Sequence, residues 1–334
     1  MDVEVIYHHQ IVFPRSNGVS MDALFMGEVL ADLVFSGAKV TMHFGGAPAN
    51  SAVLASCTGI QTGLVGSIGD DPIGRFLIQT LKHNNVDTRF VQMCDLQSSI
   101  ATIHLDEAGD PSTILLYRKA DAQIKLDVVE DAMRQRPKVF CYGSVSLAHP
   151  SSSAALWAAI SASYLYDIVT IFDINWRPSL WTDSSLARPL IDAVARNSTV
   201  VKGNSREIAW LSSYLGHHAT AQSLLHDRTQ LVVCTQGNEG CSYYRIDGSE
   251  GHLAGYKSTG GDRVGTGDAF TGALCASLAT RSVSAIDQIM TADLEQVLDR
   301  ANWMGGIVAS CHGAIPPRNQ RTRIKQMFRT SNQR

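Results

Sequence analysis

Residues 261–270 read Gly-Asp-Arg-Val-Gly-Thr-Gly-Asp-Ala-Phe, and the small residues from 271 to 279 that follow them predict a helix. Glycines directly before a helix leave several backbone N–H groups without partners, and the helix dipole adds partial positive charge at that end. The stretch is therefore predicted to bind an anion. Asp268 falls in the first turn of the helix, where by itself it could also be a capping carboxylate worth about 0.5–2 kcal/mol.

Three further polar or glycine-rich turns lie at predicted element boundaries. Residues 45–50 (Gly-Gly-Ala-Pro-Ala-Asn) enter a helix, whereas residues 202–207 (Lys-Gly-Asn-Ser-Arg-Glu) and 235–240 (Thr-Gln-Gly-Asn-Glu-Gly) each end a strand. The carboxyl ends of the strands in an open parallel sheet lie along one edge, where ligands bind. The four turns therefore predict one extended crevice, in which the amide of Asn50 is suited to hydrogen-bond polyol hydroxyls.

Between these turns, short aliphatic runs alternate with longer amphipathic or small-residue segments. The predicted strands are 23–27, 62–68, 139–142, 169–173, 199–203 and 231–235, and the predicted helices are 49–57, 73–84, 151–163, 184–196 and 206–214. This alternation is typical of repeated βα units. It predicts an α/β fold with a central, mostly parallel sheet flanked by helices.

Two segments, 34–44 and 98–117, break the alternation and read as antiparallel hairpins, the second around a turn at 107–110. We expect them to form a small β lid outside the main sheet. Such a lid exposes an edge and an apolar face, so we expect a homodimer through it. No Gly/Ser-rich or Pro-rich linker divides the chain, so we expect a single domain over residues 21–334, preceded by an extension over residues 1–20.

Composition narrows the class of partner. The 334 residues carry 28 Lys and Arg against 31 Asp and Glu, a net charge of -3, so no basic field is present to hold nucleic acid or an anionic membrane. No apolar run reaches the roughly 18 residues of a spanning helix. The seven cysteines include no close pair, which favours reduced thiols and a cytoplasmic location. The expected partner is a small molecule.

The turns at 45–50 and 262–270, in this order, identify a family resemblance. From about residue 23 to residue 316, the sequence resembles the ribokinase-like, or pfkB, carbohydrate kinases. The resemblance implies a ribokinase-like fold and an enzyme that transfers a phosphoryl group from ATP to a sugar hydroxyl, with Mg²⁺, and with K⁺ as a further candidate. It makes Asp268 the general base, and Gly265, Thr266 and Gly267 the anion hole.

The same resemblance distributes the other site residues. Those implied for sugar binding are Asp32, Gly45, Gly46, Asn50, Arg118, Arg177 and Asp268. Those implied for nucleotide binding are Asn204, Glu207, Thr235, Gly237, Gly240, Gly267 and Asn302. Glu207 is a candidate for Mg²⁺ through water, and Asp262 is a candidate for a monovalent cation.

The sequence also departs from the family pattern. Thr266 replaces a small alanine, Arg263 adds a charge, and Leu30 stands where ribokinase carries an Asn, which argues against a free pentose. Residues 45–50, 116–118 and 172–181 look most like the fructokinase branch, so fructose is the expected substrate.

Two alternatives stay open. Kinases of 2-keto-3-deoxygluconate share the Asn-x-Arg-Pro-x-Leu-Trp element at 175–181, so such a kinase, or another pfkB sugar kinase, is the first. The second is a catalytically inactive, fructokinase-like binding module. It is disfavoured because Asp268 and its glycines are retained.

Overall fold

The computed structural model describes residues 21–105, 111–181, 183–216, 218–258, 260–261, 263–281 and 286–330. The expected extension over 1–20 and the turn at 107–110 lie outside these residues. The strands are β1 (Ala23–Met26), β2 (Leu30–Ser36), β3 (Lys39–Gly45), β4 (Thr62–Gly69), β5 (Val86–Asp87), β6 (Val91–Cys94), β7 (Ile100–Leu105), β8 (Pro111–Tyr117), β9 (Val139–Gly143), β10 (Val169–Asp173), β11 (Val200–Asn204), β12 (Leu231–Thr235), β13 (Cys241–Arg245) and β14 (Glu250–Leu253). The α-helices are α1 (Ala47–Cys57), α2 (Pro72–His83), α3 (Leu126–Met133), α4 (Pro150–Leu165), α5 (Ser184–Arg196), α6 (Ser205–Ser212), α7 (Thr266–Arg281), α8 (Thr291–Ala309) and α9 (Arg318–Thr330).

The main sheet has the strand order β14-β13-β12-β11-β10-β9-β1-β4-β5, and β6 also pairs with β4. The pairs from β12 to β5 are parallel, whereas β13 and β14 are antiparallel additions at one edge. Strands β1, β4, β9 and β10 are buried along their whole length. A parallel sheet covered on both faces requires this burial, and the α/β fold predicted from the alternation is confirmed.

The alternation of side chains along the strands divides the interior into two cores. On β1, Phe25 packs into a core with α1, α7 and α8, while its neighbours Leu24 and Met26 pack into a second core with α3, α4, α5 and α6. Because successive strand residues point to opposite faces, the central strands contribute to both cores, namely β1, β4, β9, β10, β11 and β12. Helices on both faces leave the carboxyl edge of the sheet open for loops.

A second, four-stranded sheet has the order β3-β2-β7-β8 and contains both segments that break the βα pattern. β2 pairs antiparallel with β3 and parallel with β7, and β7 pairs antiparallel with β8. β2 begins at Leu30, earlier than the expected hairpin, so Asp32 lies within a strand. On the outward side, Val40, Met42 and Tyr117 are exposed. Within the part of the chain described here, no helix combines the length and hydropathy needed to span a bilayer.

Candidate active site

The four turns singled out by sequence border one cavity of about 670 Å³ at the carboxyl edge of the main sheet. The second sheet walls one end of it through Leu30, Asp32, Ala101, Ile103 and Leu116. The turn after β12 and helix α8 wall the other end, through residues that include Thr235, Gly237, Gly240 and Asn302. The anion turn, from Arg263 to Asp268, also borders the cavity.

Asp268 lies in the first turn of α7, three residues after a glycine that the turn requires. Gly265 has φ +77°, a left-handed conformation that favours glycine, and Ala314 leaves no room for a side chain there. Asn50 Nδ2 donates to Asp268 Oδ2 at 2.8 Å. Burial raises the pKa of Asp268 to about 6, and the Asn50 hydrogen bond opposes the rise. A carboxyl with this pKa is ionised at neutral pH and still basic enough to take a proton.

Asp32 is a second carboxyl at the same end of the cavity. Burial raises the pKa of Asp32 to about 7, the negative charge of Asp268 adds to the rise, and Arg177 opposes it. Gly45 is required beside it, because a side chain at Gly45 would overlap the Asp32 carboxylate. The two carboxyls and Asn50, whose Oδ1 is buried and has no hydrogen-bond partner among the residues that the structure describes, offer hydrogen-bond acceptors to a ligand rich in hydroxyls.

A buried ion pair between Lys202 and Asp173 lies next to the anion turn. Lys202 Nζ donates to Asp173 Oδ2 at 2.8 Å, and Thr271 Oγ1 donates to the same oxygen at 2.7 Å. A side-chain carbon on Gly267 would lie 3.5 Å from Lys202 Nζ, so the ammonium is adjacent to the turn. Burial alone would lower the pKa of Lys202, but the Asp173 carboxylate raises it, so Lys202 carries a fixed positive charge in the cavity wall.

Asn204 and Glu207 form a capping box at the start of α6. The two carboxylate oxygens of Glu207 accept the backbone N–H groups of Trp176, at 2.9 Å, and Asn204, at 2.8 Å. Glu207 therefore fastens the loop after β10 to α6, and it also borders the cavity. Mg²⁺ commonly binds through one or two carboxylates, waters and substrate phosphates, and a contact from Glu207 through water fits that pattern. Among the described residues, no group of three or more His, Cys, Asp or Glu is arranged for a metal ion.

The two arginines expected near the sugar differ in placement. Arg177 borders the cavity, and its Nη1 donates to the Trp176 carbonyl at 3.2 Å. Arg118 is absent from the lining, because its Nε pairs with buried Asp121 at 2.7 Å and its Nη1 donates to the Val145 carbonyl at 2.7 Å. Gly45 lies behind Asp32 rather than in the lining, and Asp262 falls outside the described residues.

The other expected residues border the cavity: Asp32, Gly46, Asn50, Arg177, Asn204, Glu207, Thr235, Gly237, Gly240, Gly265, Thr266, Gly267, Asp268 and Asn302. Sequence reasoning gave no role to Glu28, Asp173 and Lys202, which border it too, although Asp173 and Lys202 lie in segments that it singled out. The available signal was a charged residue within or directly after an otherwise apolar strand, where burial of the charge needs a reason.

An open, mostly parallel sheet with a carboxyl in a glycine-rich anion turn at its carboxyl edge, faced by a small second sheet, is the architecture of the ribokinase-like sugar kinases. Residues 21–321 match the model of the pfkB family carbohydrate kinases, and the chain belongs to that family.

Named relatives agree with this assignment. Fructokinase-1 of Oryza sativa subsp. japonica is 32% identical over 303 residues, which cover 87% of this chain and 92% of the relative. A 5-dehydro-2-deoxygluconokinase of Bacillus thuringiensis is 30% identical over 244 residues, which cover 70% of this chain and 73% of the relative. The crystal structure of a fructokinase with bound ATP from Xylella fastidiosa superposes with a TM-score of 0.82 at 22% identity, over 92% of this chain and 99% of that one.

Proposed function

We propose that this carbohydrate kinase transfers the γ-phosphoryl group of ATP to a hydroxyl of fructose. The observation that carries the proposal is the pair of carboxyls, Asp32 and Asp268, at one end of the cavity. Asn50, in the turn at 45–50, donates a hydrogen bond to Asp268 in the turn at 262–270. Hydroxyl groups of a neutral sugar donate to carboxylates, whereas a negatively charged sugar acid is repelled by them.

The reaction follows from the chain's own groups. Asp268 accepts the proton of the acceptor hydroxyl, and the hydroxyl oxygen attacks the γ-phosphorus in line. The bond from that phosphorus to the β–γ bridging oxygen breaks, and ADP leaves with the electron pair. The backbone N–H groups of residues 265–267 and the ammonium of Lys202 stabilise the charge on the transferring group.

The other end of the cavity is proposed to hold the nucleotide, along Thr235, Gly237, Gly240 and Asn302, with Asn204 near the phosphates. Mg²⁺ would neutralise phosphate charge, and Glu207 is proposed to contact it through water. K⁺ at Asp262 remains a proposal from the family resemblance.

A kinase of 2-keto-3-deoxygluconate is the second candidate, favoured by one observation. Arg177 borders the cavity, and its planar fork can grip a sugar carboxylate with two hydrogen bonds. Arg118, the other arginine implied for sugar binding, instead forms an ion pair with Asp121. Arg177→Lys is therefore expected to raise KM by about ten-fold, or about 1.4 kcal/mol, for a sugar acid, and by less for fructose.

A coupled ADP-release assay over fructose, 2-keto-3-deoxygluconate, 5-dehydro-2-deoxygluconate, ribose and nucleosides tests the proposal. The expected result is the highest kcat/KM on fructose. A higher value on 2-keto-3-deoxygluconate would transfer the assignment to the second candidate. Binding of a sugar without ADP release on any of them would support an inactive binding module instead.

We also propose a domain organisation, an oligomeric state and a cellular location for the protein. We take residues 21–334 as one kinase domain, with the second sheet acting as a lid over the sugar. The outward face of that sheet carries Val40, Met42, Leu115 and Tyr117, which are 49%, 45%, 41% and 51% exposed, and this supports a homodimer through the lid.

All seven cysteines lie among the described residues and are free thiols, which supports a reducing, cytoplasmic location.

A further inference from the structure

Glu28 is a buried carboxyl in the cavity wall that the reaction described above does not use. It follows β1 directly after Gly27, is only 4% exposed, and borders the cavity. Glutamate is rarely buried to this extent without partners for its charge. Both oxygens of the buried Glu28 carboxylate therefore need hydrogen-bond partners.

The two oxygens of Glu28 differ in their partners. Oε1 accepts the backbone N–H of Ala47, the first residue of α1, at 3.1 Å. Oε2 is buried and has no hydrogen-bond partner among the described residues. The contact at Oε1 explains how Glu28 supports the turn into α1. It does not account for the burial of Oε2, because a buried acceptor without a hydrogen-bond partner costs free energy.

Charged groups act electrostatically on the Glu28 carboxyl. Burial raises the pKa of Glu28 to about 7. The backbone N–H of Glu28 itself and then the positive charge of Arg118 oppose the rise, and Asp121 reinforces it. Arg118 Nη2 is itself buried and has no partner in the described part of the chain, whereas its Nε and Nη1 are occupied by Asp121 and the Val145 carbonyl. Among the described residues, the cavity wall thus contains one unmatched acceptor, Glu28 Oε2, whereas Arg118 lies outside the lining.

A hydroxyl group can donate a hydrogen bond, so it suits this unmatched acceptor better than an apolar group or a second carboxylate does. Asp268 is committed to the hydroxyl that is phosphorylated. Any contact to Glu28 therefore falls on a different hydroxyl of the same sugar.

We propose that Glu28 is a specificity residue, whose Oε2 accepts a hydrogen bond from a sugar hydroxyl other than the one phosphorylated. The proposal rests on the proposed sugar kinase activity. A site built to pair with a hydroxyl strongly rejects the analogue that lacks it, because the buried acceptor is then left unpaired. Glu28 would in this way make the enzyme discriminate against deoxy sugars.

The test combines Glu28→Gln with a set of monodeoxy analogues of the sugar that the wild-type enzyme uses best. Glu28→Gln keeps an oxygen for the Ala47 N–H and places a donor where Oε2 was. In the wild type, one analogue should lose about ten-fold or more in kcat/KM beyond the others. Glu28→Gln should lose a similar factor on the parent sugar and no further factor on that analogue, with KM for ATP unchanged.

A merely structural role predicts a different pattern, namely an equal loss on every analogue, and that pattern would overturn the proposal. Glu295→Gln is the matched control, since Glu295 accepts from Tyr243 Oη at 2.9 Å and is not part of the cavity lining. It should leave discrimination among the analogues unchanged.

A second measurement needs no variant. In a crystal structure of the wild type with its sugar, Glu28 Oε2 should lie within about 3.2 Å of a sugar hydroxyl. A bound sugar that leaves Oε2 without a hydroxyl would refute the proposal. Because the analogue set is built on whichever sugar proves best, rejection of fructose would overturn the proposed substrate without affecting this test.

Discussion

Asn50 and Asp268, 218 residues apart in the chain, are joined by a hydrogen bond of 2.8 Å from the Asn50 amide to the Asp268 carboxylate. Each residue lies in the first turn of a helix that follows a glycine turn, Asn50 in α1 and Asp268 in α7. Ser51 Oγ also donates to the Asp268 carbonyl at 3.1 Å. The turn proposed to bind the sugar is thereby fixed to the turn proposed to bind the phosphoryl group.

Asp268→Asn should retain the fold and the sugar dissociation constant while turnover falls by about 10²-fold or more, because an amide cannot accept the hydroxyl proton. Turnover and sugar binding are measured together. Asp293→Asn is the control, since Asp293 lies in the first turn of α8 and outside the cavity lining. A folded Asp268→Asn enzyme with turnover near the wild-type value would remove Asp268 as the base.

Asn50→Ala should move the acid limb of the kcat/KM profile to higher pH. The hydrogen bond from Asn50 lowers the pKa of Asp268, so its loss lets the pKa rise above about 6. Asn197→Ala is a suitable control, because Asn197 bonds Tyr164 and the Ala193 carbonyl away from the cavity. An unchanged acid limb in Asn50→Ala would show that another group sets it.

Activity and stability should depend on pH in opposite directions. Burial raises the pKa of Glu28 and Asp32 to about 7 and that of Asp268 to about 6, all above the values of an unfolded chain. The folded state therefore binds more protons than the unfolded state between about pH 4 and 7, so these groups make the protein less stable as pH rises through 7. Turnover requires ionised Asp268, so kcat/KM should fall below about pH 6.

Paired measurements of Tm and kcat/KM from pH 5 to 8 check this opposition. Asp32→Asn should flatten part of the Tm profile, since it removes one of the three groups. A Tm that rises from pH 5.5 to 8 would contradict the expected sign.

Lys202→Met should destabilise the protein by about 3–5 kcal/mol, because it leaves the buried Asp173 carboxylate without its cation. Adding Asp173→Asn should recover part of that loss in urea unfolding. Lys138→Met is the matched control, since Lys138 pairs with Asp22 at a similar 2.8 Å but is 41% exposed. It should cost less than about 1 kcal/mol. Equal losses in the two variants would mean that burial does not strengthen the Lys202 pair.

Met42→Lys should convert the proposed homodimer to monomers, because it places a charge in the exposed apolar face of the second sheet. Light scattering at micromolar concentration measures the mass. Leu165→Lys, at the exposed end of α4, should leave the mass unchanged. A wild-type protein that is already monomeric and active would remove the dimer from the proposal.

Local sequence signals predicted much of the architecture. The strands 169–173 and 231–235 and the helix 184–196 have the predicted bounds, because apolar periodicity and capping residues act over a few neighbours. The prediction omitted β13 and β14, which pair antiparallel at the edge of the sheet. Their pairing depends on the sheet that precedes them rather than on their own pattern.

The sequence by itself also determined the four turns, because glycines and capping residues at the ends of helices and strands act on the backbone of their near neighbours. Only the tertiary structure decided that Asn50 bonds Asp268, that Lys202 and Asp173 pair beneath the anion turn, and that Arg118 is held by Asp121. It likewise placed Glu28 in the cavity wall, with one carboxylate oxygen that has no hydrogen-bond partner within the described ranges. These relationships join residues brought together by packing, and their energies depend on burial, which no local pattern of residues contains.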